Sequence, residues 1–124
     1  MGELLARIRA ALRQGIREKG GEEIIATGPL SIDLIRRVVS LHGDEVRLSP
    51  REYALLKTLA THAGMVMTHS MLLAEVWGPE QKESTYLRIF IGRLRHKIEA
   101  DPARPRLIVT EPGIGYRLKL LPTE

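Results

Sequence analysis

Residues 86–99 read "YLRIFIGRLRHKIE". Arg88, Arg93, Arg95 and Lys97 fall in this stretch, and no acid precedes Glu99. Leu87, Phe90, Ile91, Leu94 and Ile98 run through the same segment. At about 100° per residue, these five apolar side chains lie within about 60° of one direction. Thr85, Ile89, Gly92 and His96 point the opposite way. Arg88 and Arg95 fall on one flank, Arg93 and Lys97 on the other. The segment therefore predicts a helix gripped on its apolar side, with a cationic ridge facing out. Like charges without an i,i+4 acid cost helix stability, so the ridge asks for a reason beyond solvation, although a surface helix with ordinary solvated charges is the competing reading. A B-form major groove, about 12 Å wide, admits a helix whose flanks meet phosphates and whose outermost residues meet base edges. Arginine suits both tasks, because its planar fork binds phosphate or guanine bidentately. Gly92, in the middle of the outer face, lets a rigid surface come close.

The segments on either side supply the body for such a helix. "SPREYALLKTLATHAG" (49–64) predicts a helix opened by a capping box between Ser49 and Glu52, with Pro50 at the first helical position. Tyr53, Leu56, Leu59 and Ala60, helped by Leu55, make its buried face, and Gly64 stops it. "MVM" (65–67) has room only for a brief strand. Thr68 is the expected N-cap of a second helix that buries Met71, Leu72, Val76 and Trp77 and ends at Gly78-Pro79. The polar "EQKE" leads into the helix of roughly residues 84–99, which Asp101-Pro102 and Arg104-Pro105 close off. A hairpin over 106–120 comes last: "RLIVTE", a Pro112–Gly115 turn, and "YRLKL". There Tyr116, Leu118 and Leu120 alternate with Arg117 and Lys119. Upstream, "EIIAT", "LSIDL", "RRVVSL" and "EVRL" read as four short antiparallel strands, with a turn signal at His42-Gly43-Asp44. The expected fold is α+β: a four-stranded antiparallel sheet, three helices and a β-hairpin wing, a winged helix-turn-helix.

Residues 3–14 carry Leu4, Leu5, Ile8, Ala11 and Leu12 at helical spacing, and "REKGGEE" after them reads as a flexible joint. The expected organisation is a lone helix over 1–15, a linker over 16–23 and the winged-helix domain over 24–124. The first 20 residues hold five bases and two acids, and residues 22–83 hold six bases and nine acids. Residues 84–124 hold eight bases and four acids. This skew suggests a polyanionic partner such as nucleic acid. The chain has no cysteine, which excludes a disulfide framework and thiolate metal sites and fits a reducing cytoplasm. No apolar run approaches the roughly 20 residues that span a bilayer, so no membrane partner is expected.

His42, His62, His69 and His96 stand far apart, with no pair at metal-ligand spacing. "GIGYR" lacks the rest of a dinucleotide fingerprint, and no nucleophile elbow or phosphate loop occurs. No catalytic residue, metal or cofactor is expected. A winged helix that binds protein instead of DNA is the remaining alternative. The DNA reading assigns Arg88, Ile89, Gly92, Arg93 and His96 to bases. It assigns Thr85, Arg95, Thr110, Tyr116 and Arg117 to phosphates and Trp77 to the vicinity of the backbone. The wing tip, which includes Gly113, lies along the neighbouring minor groove or backbone.

"LSPREYALLKTLATHAGMVMTHSMLLAEVWG", "YLRIFIGRLRHKIE" and "VTEPGIGYRL" together resemble the DNA-binding domain of OmpR/PhoB-type response regulators. The resemblance covers residues 22–121 nearly continuously. It implies a third helix in the major groove and a wing on the minor groove. It also implies a loop near Gly78–Glu83 that touches RNA polymerase, and homodimers set head to tail on direct-repeat operators. By position, it makes Trp77, Thr85, Arg93, Arg95, Thr110 and Tyr116 backbone or base contacts and turns Arg88 toward bases. "GELLARIRAALRQG" resembles the last helix of the receiver domain that precedes such modules and whose phosphorylation drives dimerisation. Many relatives carry arginine where this chain has Pro112, which weakens the expectation of minor-groove readout.

Overall fold

The computed structural model describes residues 16–19 and 22–123, so the expected helix over 1–15 lies outside the described residues. The chain divides into two compact units. One comprises the residues up to Arg47 and those from Leu120 onward; the other comprises Leu48–Lys119.

The first unit is an antiparallel sheet of β1 (Ile16–Lys19), β2 (Glu22–Thr27), β3 (Leu30–Asp33), β4 (Val38–Leu41) and β5 (Asp44–Val46), hydrogen-bonded in chain order. It has five strands where four were expected. The extra one falls in the stretch read as a linker, with Ile16 opposite Ile25 and Arg17 opposite Ile24. A Gly-Gly pair between extended segments is a hairpin signal as much as a linker signal, and the linker reading overlooked it. The register places Ile25, Ile32, Val39 and Val46 in one row. Ile25, Ile32 and Val39 in that row are buried. Between β4 and β5 the two turn residues, His42 (φ 53°) and Gly43 (φ 86°), both have positive φ. This is the requirement of a type I′ hairpin. The segment after Lys119 returns to this unit: the Leu121 amide donates to buried Thr27 Oγ1 (2.7 Å), and the Leu121 carbonyl accepts from Gly28 N (3.3 Å).

The second unit contains α1 (Pro50–Thr61), β6 (Met67–Thr68), α2 (His69–Val76), α3 (Ser84–Ile98), β7 (Ile108–Glu111) and β8 (Gly115–Leu118). The capping box forms at α1: Glu52 N donates to Ser49 Oγ (3.2 Å) and Ser49 N to Glu52 Oε1 (2.9 Å). Helix α1 ends at Thr61, before Gly64, whose φ of +85° serves the turn that follows. Thr68 caps α2 by accepting from Met71 N (3.1 Å). Met71 itself is exposed, and Leu73 takes the core place expected for it. Leu72, Leu73 and Val76 share one direction at 100° per residue, and Met71 falls outside that arc. Strand β8 lies between β6 and β7 in a three-stranded sheet and ends at Leu118, so Leu120 does not extend the alternation. Gly115 makes this sheet possible, because a Cβ there would meet the Met67 carbonyl oxygen at 1.9 Å.

Candidate nucleic-acid interface

Helix α3 is built as its periodicity predicts. Leu87, Ile91, Leu94 and Ile98 are buried, while Thr85, Arg88, Ile89, Arg93 and His96 are exposed on the other side. Around Gly92 a Cβ would meet nothing within 4 Å, so the middle of the outer face is open. Phe90, expected in the apolar stripe, is only half-buried. It packs edge-on against Trp77, with ring centroids 5.3 Å apart, and the Arg93 guanidinium lies 4.7 Å above its ring. Trp77, the C-cap of α2, also carries the Arg51 guanidinium 5.3 Å from its own ring.

The cations of α3 are not equivalent. Among the described residues, Arg88 and Arg93 make no hydrogen bond or ion pair. Lys97 instead reaches α1 and pairs with Glu52 (2.7 Å). Burial works to raise the Glu52 carboxyl. The hydrogen bond from Lys97, the Ser49 bonds and the Lys97 charge together outweigh it and hold the group below its usual value. Arg95 turns toward the wing: its Nε and Nη2 both donate to the Ile108 carbonyl (3.1 and 2.9 Å), and Nη2 also donates to Thr110 Oγ1 (2.8 Å). Its guanidinium lies 5.7 Å from the Tyr116 ring centroid. Burial pulls the Arg95 pKa down, against the opposing influence of Tyr116 and Glu99. Four bonds to Glu99 finish the joint: its carboxylate accepts from Arg106 N (2.8 Å), Leu107 N (3.1 and 3.0 Å) and Ile108 N (2.8 Å).

The wing residues assigned to phosphates are therefore largely engaged within the protein. Thr110 is exposed but shares its hydroxyl with Arg95. Tyr116 is 7% exposed, wedged between the Arg95 guanidinium and the edge of His69 (5.6 Å). Arg117 pairs with Glu111 across the hairpin at 2.6 Å. At the tip, Ile114 is exposed while its backbone is held at both ends, N donating to Glu111 O (2.9 Å) and O accepting from His69 N (3.2 Å). Gly113 is exposed with φ +76°. Sequence reading missed two participants. Glu99 had a visible signal, as the lone acid closing a basic apolar helix; Arg51 had none, because its ring partner lies 26 positions away.

Among the described residues no cluster of histidine and acidic side chains could hold a metal ion, and no helix is long and apolar enough to cross a membrane. The arrangement offers a convex helix face with two uncommitted guanidiniums, rimmed by aromatic rings, beside a braced hairpin.

Residues 43–118 match the family described as transcriptional regulatory protein, C terminal. The chain is similar to the KDP operon transcriptional regulatory protein KdpE of Escherichia coli, 46% identical over 121 residues. That alignment covers 97% of this chain and 54% of the relative. It is 40% identical to KdpE of Mycobacterium tuberculosis, over 96% of this chain and 54% of the relative. The chain thus spans about half the length of these curated relatives. Among solved structures it is similar to the Klebsiella pneumoniae RstA DNA-binding domain in complex with the RstA box (TM-score 0.72, 34% identity, 77% of this chain and 96% of that one). It is also similar to the response regulator DrrB, a Thermotoga maritima OmpR/PhoB homologue (TM-score 0.70, 34% identity, 94% of this chain and 51% of that one).

Proposed function

The chain belongs to the family of transcriptional regulatory protein C-terminal domains, and we propose that it reads double-stranded DNA sequence-specifically as the effector domain of a two-component response regulator. The observation that carries this reading is the outer face of α3. Thr85, Arg88, Ile89, Arg93 and His96 are exposed there around an open Gly92, and among the described residues Arg88 and Arg93 keep their donors unspent. Arg88, Ile89, Gly92, Arg93 and His96 approach base edges in the major groove, and Thr85 meets the backbone beside them. The wing lies on the adjacent backbone or minor groove. Within it, Arg95, Thr110, Tyr116 and Arg117 set the hairpin's position as much as they touch phosphate, which their internal bonds support. Trp77 packs at the edge of the same surface.

We extend the same reading to the wider assembly. In this reading residues 1–15 come from a receiver domain and the effector begins with β1, in the stretch first read as a linker; the half-length match to KdpE supports a further domain. Homodimers occupy direct-repeat operators, the 78–83 loop faces RNA polymerase, and the protein works in the cytoplasm without cofactor or catalytic role.

Selection from random duplexes, followed by titration of the recovered site across salt concentrations, tests the reading. If about five phosphates are neutralised, log K falls against log salt with a slope near −4 to −5. A flat salt response and no recovered site would favour a protein partner instead. Arg93→Ala is expected to cost about 1–3 kcal/mol at the recovered site and relax preference at one position. Unchanged affinity together with unchanged base preference would reject its role.

A further inference from the structure

Four side chains from three helices form a ladder: Arg51 over Trp77 (5.3 Å), Trp77 edge-on to Phe90 (5.3 Å), and Phe90 under Arg93 (4.7 Å). The two arginines rim one open groove, which Ser49, Pro50, Val76 and Phe90 also line. The other cations of this unit whose bonds are described are committed: Lys97 to Glu52, Arg117 to Glu111 and Arg95 to Ile108 and Thr110. Arg51 and Arg93, among the described residues, have only ring faces as partners. A ring face orients a guanidinium and leaves its N–H fork free for an oxyanion.

From this we infer that the Arg51–Arg93 groove seats a backbone phosphate of the bound duplex, carrying the DNA contact from α3 onto α1. The inference rests on the DNA-binding reading and extends it to a residue that neither the periodicity of α3 nor the wing includes. DNA is favoured over a free anion because Arg93 belongs to both the groove and the outer ridge of α3, so a duplex lying on that ridge passes the groove mouth. Arg51 then contributes affinity without sequence preference.

Trp77 is the single tryptophan of the chain and sits inside the ladder, so its emission reports on the groove. The test uses the 124-residue chain and a mixed-sequence duplex of about 20 base pairs. With the unmodified chain, DNA is expected to change Trp77 emission; inorganic phosphate at equal ionic strength is not. Arg51→Ala should lower thermal unfolding only slightly, because Arg51 is exposed and gives up one ring contact. It should weaken binding to every duplex alike and make the salt slope shallower by about one phosphate, roughly 0.9. Arg51→Lys, which keeps the charge, should restore the slope. A slope identical in Arg51→Ala and the unmodified chain would overturn the proposal while leaving DNA binding intact. So would an equal emission change with inorganic phosphate, which would mark a free-anion site. Absence of salt-dependent binding by the unmodified chain would remove the DNA reading and this inference with it.

Discussion

The outer face of α3 and the wing carry the same residue type in opposite states. Among the described residues, Arg88 and Arg93 project from α3 with their donors unspent, whereas Arg117 is closed onto Glu111 at 2.6 Å. Arg95 belongs to α3 by sequence and to the wing by its bonds. The difference comes from what lies opposite. Among the described residues no bonded partner faces Arg88, and Arg93 meets only a ring face, which leaves its N–H donors open. In the hairpin the residues of β7 and β8 have cross-strand neighbours, and opposite charges there find each other. A cation on a lone helix face is available to a ligand, while a cation in a two-stranded flap is first a structural part. One side of the interface is built to give its charge away and the other to hold its shape.

That contrast can be broken from the wing side with the largest effect. Gly115→Val puts a branched side chain where even a Cβ meets the Met67 carbonyl at 1.9 Å. The β6–β8 pairing must open, at a cost of about 3 kcal/mol in urea unfolding. A variant as stable as the parent would mean that β6 is dispensable. Next in size is Glu99→Gln. It removes the charge from a carboxylate that serves the Arg106, Leu107 and Ile108 amides and should cost about 2 kcal/mol. If stability is retained while the wing amides keep their slow hydrogen exchange, the clamp is not what orders the hairpin.

Acid titration sharpens the comparison further. Glu52 is held below its usual pKa of 4.5, so it binds fewer protons folded than unfolded. Its contribution is complete above about pH 4.5 and fades as pH falls through its lower folded value. Lys97→Ala removes a partner that holds it down and should flatten that part of the acid limb of the urea midpoint. An unaltered limb would show that Lys97 is a solvated charge after all. Smallest in stability is Gly92→Ala. The open surroundings accept the methyl group, and helix propensity should favour the variant by roughly 0.5–1 kcal/mol. Duplex affinity should nevertheless drop. Unchanged affinity would place the close approach elsewhere on α3.

Much of the architecture was legible where local chemistry and packing agree. The Ser49–Glu52 capping box, the Thr68 cap and the Leu87–Ile98 stripe each depend on residues within a few positions, so reading along the chain reaches them. What escaped depends on distance in sequence. Strand β1 needed a choice between two meanings of a glycine pair, and only pairing with β2 decides it. The turn of Arg95 toward the wing needed the Ile108 carbonyl, 13 residues on, and the Lys97 pair needed Glu52, 45 residues back. Helical phase places a side chain on a flank; it does not say whether a neighbouring element has already claimed it.

The bond from Leu121 to Thr27 spans 94 residues. During synthesis β2 and β3 emerge before the helices and the wing, yet the corner between them waits a further 94 residues for this partner. The sheet is therefore finished only after the helices and wing have been made, and ending the chain at Lys119 would shorten the sheet's lifetime against proteases before it affected α3.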